Sequence, residues 1–173
     1  MECIGKGKAR TPYEFGCKVS IVTPVTAPKG GQFVLHAKAL HGNPYDGHTL
    51  GPVIADLEKL TGVAARRIHG DKGYRGHNYP DRFRVWISGQ VRHVTKAIRR
   101  EMRRRAAVEP VIGHLKDDHR MRRNHLKGRE GDRINAVLAA AGYNFSLLLR
   151  WFAELLRALL LIFYPGHAQP HFP

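Results

Sequence analysis

Hydrophobic residues between positions 13 and 25 recur at every second place before running together. Through residues 13–25 they fall at Phe15, Cys17, Val19 and Ile21, with Val22 extending the run, which is the period of an extended strand. Pro24, Pro28, Gly30 and Gly31 break it, and strand character resumes over 32–40 until His41-Gly42-Asn43-Pro44, so the two runs predict a hairpin. The period then lengthens. Leu50, Val53, Ile54, Leu57 and Leu60 recur at helical spacing before Thr61-Gly62, with Thr49 placed to cap the start. A short apolar run at 65–69 reads as a buried strand ending at Gly70-Asp71, and 85–94 reads as another, broken at Ser88-Gly89. Thr95 is placed to cap a long helix through an arginine cluster, and residues 132–164 supply a last helical region with Gly142 as a soft point. Strand, strand, helix, strand implies an α/β arrangement with a mixed sheet, whose ligands gather at strand ends.

Length and charge narrow the class. At 173 residues the chain suits one domain, 1–173, with a real core. Its net charge of +15 points to a polyanion, nucleic acid before all. The excess is local: Arg99, Arg100, Arg103, Arg104, Arg105, Arg120, Arg122, Arg123, Lys127 and Arg129 share one segment. A patch of this kind gains more from counterion release than a diffuse excess does. Cys3 and Cys17 are the only cysteines. They form no paired motif, so neither a disulfide framework nor a structural zinc is expected, and a reducing cytosol is the default compartment. Arg150, Glu154 and Arg157 interrupt the apolar run at 147–164, which predicts an amphipathic helix packed on the core rather than a membrane span.

Inside the basic segment, Arg105, Glu109 and Lys116 carry the sharpest chemistry. At about 100° per residue, Glu109 lies roughly 40° and Lys116 roughly 20° around a helix axis from Arg105. A carboxylate flanked by fixed cations suits a metal that also meets phosphate. Pro110 removes a backbone donor and predicts a kink or a fresh helix start there, with Glu109 as N-cap in the second case. Upstream, Gly70-Asp71-Lys72-Gly73-Tyr74-Arg75-Gly76 sets an aspartate between a strand and a glycine-rich turn. Each feature has a plainer reading. Asp71 before a turn is ordinary turn chemistry, and Glu109 paired with Arg105 is an ordinary surface ion pair of small energetic value. The eleven histidines match no ligand motif and read as surface or turn residues, with His69 a minor candidate beside the site. Trp86 and Trp151 sit in apolar stretches and read as core.

Taken together, Arg105-x3-Glu109-x6-Lys116 and the Asp71 turn resemble the DDE transposases of bacterial insertion sequences, in particular family five and its relative family four. The run from Arg103 to Lys116 is similar to the family signature Tyr-x2-Arg-x3-Glu-x6-Lys, and similarity continues through 131–138 and Tyr143-Asn144-Phe145. The resemblance implies an RNase H-like fold with a helical C-terminal extension at 132–164. It makes Asp71 and Glu109 the second and third acids of the triad and metal ligands for Mg2+ or Mn2+. It also sets Arg105 and Lys116 against phosphate. Arg75, Arg103, Arg104, Arg120, Arg122 and Arg123 would contact DNA. Two departures accompany it. Met102 stands where the signature has Tyr, and the first triad aspartate has no counterpart on a strand before the hairpin at 13–40, since no aspartate precedes Asp46. The expectation is therefore a C-terminal part of a transposase lacking the first strand, inactive alone, or else a noncatalytic DNA-binding remnant that regulates a full-length transposase. The implied partners are DNA, further copies of the chain or a full-length transposase, with no membrane, in the bacterial cytoplasm at the nucleoid.

Overall fold

The computed structural model describes residues 2–5, 9–10, 12–26 and 28–163. Its strands are β1 (Glu2–Gly5), β2 (Tyr13–Gly16), β3 (Lys18–Val22), β4 (His36–Leu40), β5 (Ile68–Gly70) and β6 (Val85–Ile87). Its helices are α1 (Asp46–Thr61), α2 (Lys96–Arg104), α3 (Val108–Asp117) and α4 (Gly128–Phe163). The α/β mixture follows the sequence pattern, and β3 and β4 form the expected antiparallel hairpin, Lys18 facing Leu40 and Val22 facing His36. The strands do not join into one mixed sheet. They form three two-stranded ladders, β1 with β2, β3 with β4 and β5 with β6, the last parallel. The period-2 pattern marks strands but not their neighbours, and β5 and β6 are only three residues each, too short to extend the hairpin ladder.

Local chemistry sets the helix ends. Gly62 closes α1 in the left-handed region at φ 68°, its N–H donating to the Glu58 carbonyl. Thr49 is not a cap: it lies inside the first turn and its hydroxyl donates to the Asp46 carbonyl at 2.7 Å. Thr95 does cap α2, accepting from the Ile98 N–H. The expected break near Pro110 falls earlier. One 3-10 turn, Arg105–Ala107, separates α2 from α3, and Ala107 rather than Glu109 is the N-cap. Pro110 thus sits in the first turn of α3, where its missing N–H has no helical partner to lose. α4 begins four residues before the expected region and continues through Gly142, where a Cβ would lie 3.0 Å from His119 Nδ1. Tyr164 lies outside the described residues.

Among the described residues two apolar cores result. The first gathers Val34, Val111, Leu115, Ala139, Ala140, Tyr143 and Leu147, so it ties α3 and α4 to the hairpin. The second gathers Leu50, Ile54, Leu57 and Val85, with Ile68 and Tyr74 packed against it. Asn144 clips α4 to the hairpin through both polar atoms of its amide, accepting from the Val34 N–H and donating to the Val34 carbonyl, each at 2.8 Å. Beyond Leu147 the helix leaves the core. Residues 148–163 of α4 are all exposed, so this part is not the core-packed amphipathic helix that the sequence suggests. Trp151 is likewise exposed, lying against the Gly30 turn, while Trp86 is half-buried. Among the described residues no helix is long and apolar enough to cross a membrane.

Candidate metal and nucleic-acid site

β5 ends at Gly70, and the next residue, Asp71, starts a single 3-10 turn by accepting from the Gly73 N–H at 2.8 Å. That is the Asx-type turn its sequence context predicts. The carboxylate faces a cavity of about 630 Å3 whose lining also includes Glu109, brought in by the first turn of α3. Apolar residues of the hairpin and α1 form much of the wall, among them Ile21, Leu50, Val53 and Leu57. Charged residues cluster on it too: Lys18, Asp46, Glu101, Arg104 and Arg105 beside the two acids.

Arg105 and Glu109 are an ion pair at 3.0 Å despite the break between their helices, the 3-10 turn preserving one-turn spacing. Their burial is unequal, the arginine side chain 18% exposed and the glutamate 68%. The guanidinium is thus fixed by packing while the carboxylate keeps most of its surface open to a ligand. Lys116 follows seven residues after Glu109 on α3, half-buried, and does not line the cavity. Of the other arginines, Arg104 lines the cavity, whereas Arg75, Arg103, Arg120, Arg122 and Arg123 are exposed outside its lining. Arg122 is paired with Asp117.

Three residues enter the site without having been expected there. Asp46, the first residue of α1, approaches the Asp71 turn so closely that a Cβ on Gly73 would lie 2.5 Å from its Oδ2 and 3.0 Å from Asp71 Oδ1. Gly73 is the residue that lets two carboxylates crowd together. Lys18 Nζ holds Asp46 at 2.7 Å and donates to the Pro44 carbonyl at 2.9 Å, offsetting part of that repulsion. Glu101 of α2 bridges Arg67 at 2.9 Å and His69 Nε2 at 3.1 Å. His69 is therefore no surface histidine: its side chain is 2% exposed and its Nδ1 is buried without a hydrogen-bond partner. Burial lowers its pKa, against the opposing pull of Glu101. Under the acids, Tyr74 has its phenol pKa raised by burial first and by the charges of Asp46 and Asp71 after it. Asp46 had one legible signal, its place as an acid at a helix start after a Gly-Asn-Pro turn; its approach to Asp71 is tertiary.

The donor chemistry at the cavity is hard carboxylate oxygen, which fits Mg2+ or Mn2+. Asp71 and Glu109 share the lining, yet they belong to no group of three ligand atoms lying within 4.8 Å of one another; among the described residues that spacing occurs at Cys17, His41 and Asp132.

A family model described as a transposase DDE domain matches residues 63–149, a stretch that holds Asp71, Arg105, Glu109, Lys116 and the whole arginine cluster. No curated protein and no solved structure matches. Transposase domains act on DNA in transposition and recombination. Since the matched stretch is half of the 173 residues and contains Asp71 and Glu109 of the one cavity, the chain belongs to the transposase DDE domain family.

Proposed function

We propose that this chain acts in metal-dependent cleavage and transfer of DNA strands, as a member of the insertion-sequence type, with Asp71 and Glu109 as ligands for Mg2+ or Mn2+. The observation that carries the reading is the shared cavity: an acid leaving a strand and an acid opening a helix, remote in sequence, line one space with Arg104 and Arg105. A bound divalent ion would supply Lewis-acid activation of water or a 3′ hydroxyl and charge stabilisation at the leaving oxygen. The chain's own groups do the rest. Arg105 holds the Glu109 carboxylate in place. Arg104 gives bidentate donors for phosphate, and Lys116 a point charge farther along α3. Arg75, Arg103, Arg120, Arg122 and Arg123 hold the DNA backbone around the site, and a second copy of the chain is the natural partner on paired DNA ends.

A second reading keeps the DNA and drops the chemistry: a noncatalytic binder that regulates a full-length transposase. One observation favours it: among the described residues the two acids belong to no group of three ligand atoms lying within 4.8 Å of one another.

Duplex binding tests the shared part. The logarithm of affinity should fall linearly with the logarithm of salt, and Arg104→Ala with Arg105→Ala should lower that slope by roughly 2; a salt-insensitive affinity would overturn both readings. Nicking of supercoiled DNA with Mn2+, by the chain alone or with a complementing transposase, separates them. Asp71→Asn and Glu109→Gln should each abolish it, and nicking retained in either variant removes that residue from the site.

A further inference from the structure

Cys17, His41 and Asp132 come from three separate parts of the chain. Cys17 links β2 to β3, His41 follows β4, and Asp132 lies in the second turn of α4. One ligand atom from each lies within 4.8 Å of the other two, and all three residues are half-buried. The hairpin register explains the first pair: Lys18 stands opposite Leu40, so Cys17 and His41 flank the open end of the ladder on facing strands. The packing of α4 on β4 brings up Asp132. None of the three lines the cavity of Asp71 and Glu109.

The surroundings orient this group as a ligand set requires. Asn124 Nδ2 donates to Asp132 Oδ1 at 2.5 Å, which leaves Oδ2 facing His41 Nε2 at 3.2 Å. The turn that carries His41 is fastened by Glu2, whose carboxylate accepts from the Gly42 N–H at 2.8 Å and the Asn43 N–H at 3.2 Å. Outer contacts of this kind fix the direction of first ligands. The plainer reading is a His41–Asp132 ion pair with a thiol nearby. It accounts for two residues and gives no part to the third, a half-buried thiol that otherwise donates only weakly, to the Lys18 carbonyl at 3.5 Å.

Thiolate, imidazole and carboxylate together are a zinc donor set, with ligand bonds of roughly 2.0 to 2.3 Å. Ligands around such an ion are roughly 3.4 to 3.8 Å apart in tetrahedral geometry, so atoms already within 4.8 Å need only small rotamer changes to close on it. Mg2+ would not choose sulfur and imidazole. We propose that Cys17, His41 and Asp132 bind Zn2+, with water in the fourth position, and that the ion staples the end of the hairpin to the start of α4. No disulfide or linear Cys-x2-Cys pattern is needed, which is why cysteine spacing gives no sign of the site.

The test uses the full chain under reducing conditions, with Co2+ and Zn2+ as probes. Co2+ should give a thiolate charge-transfer band with tetrahedral d–d absorption in the wild type and in Cys3→Ser, and no charge-transfer band in Cys17→Ser. Zn2+ at a hundredfold excess over its dissociation constant should raise Tm by roughly 5 to 10 °C, and His41→Gln should remove that rise should Cys17→Ser fold poorly. Two results would overturn the site: a wild type with neither the band nor the Tm rise, or metal binding undiminished in both Cys17→Ser and His41→Gln, which is adventitious binding by the other histidines.

Discussion

The turn at Asp71 and the ion pair at Glu109 are legible because each announces itself locally. A Gly-Asp-x-Gly turn after a short strand and an Arg-x3-Glu helical stripe need only neighbours in sequence, and both form as read. Asp46, the pairing of His69 with Glu101, and the Cys17 group were not legible, although His69 itself stood as a minor candidate, since each depends on residues that only packing brings together. The same locality predicts what the two acids do for stability. Asn at position 71 keeps an oxygen to accept from the Gly73 N–H, so Asp71→Asn removes charge and leaves the turn. Glu109 loses a surface ion pair worth about 0.2 to 0.5 kcal/mol and a helix-start charge worth about 0.3 to 1 kcal/mol. Urea denaturation should therefore show Asp71→Asn near wild type and Glu109→Gln within about 1.5 kcal/mol of it. A larger loss in either would mark its carboxylate as structural, and would take from that variant its value as a test of chemistry.

At the scale of elements, the α2, 3-10 turn, α3 connection decides whether Glu109 points at the cavity. Pro110 makes a break legible, but its position is set by what α3 buries. Val111 and Leu115, one turn apart, both enter the first core, and Leu115 is 0% exposed. These two anchors fix the rotation of α3, and with it the place of Glu109 in the cavity lining. Leu115→Ala should cost about 2 to 5 kcal/mol by denaturant unfolding, from lost transfer energy and the void left behind. It should also weaken any Mn2+-dependent activity under conditions where the protein is still folded, because a loosened α3 no longer holds the carboxylate. A stability loss below about 1 kcal/mol would mean that the site collapses around the smaller side chain and that Leu115 is not the anchor.

For the whole molecule, the cavity draws its lining from both cores, Leu50, Ile54 and Leu57 from the second and Ile21 from beside the first. Asp71 follows a strand packed on the second core and Glu109 opens a helix packed on the first, so relative motion of the two cores changes the distance between the acids. α4 contributes its first half to this frame and then runs on exposed. Along that exposed half, Leu148, Phe152, Leu155, Leu159 and Ile162 repeat at steps of four and three, the spacing of a coiled-coil seam. Glu154 and Arg157 pair with each other at 2.6 Å and leave the seam apolar. A second copy of the chain offers the same stripe, and antiparallel or parallel pairing would bury both. Sedimentation equilibrium should accordingly show concentration-dependent self-association of the full chain, reduced to monomer by Leu155→Glu with Leu159→Glu. Because α4 beyond Leu147 adds nothing to either core, that double variant should keep the Tm of the dissociated wild type. A wild type that stays monomeric at high concentration would overturn the seam, and a double variant that unfolds would show instead that this half of α4 packs on its own chain.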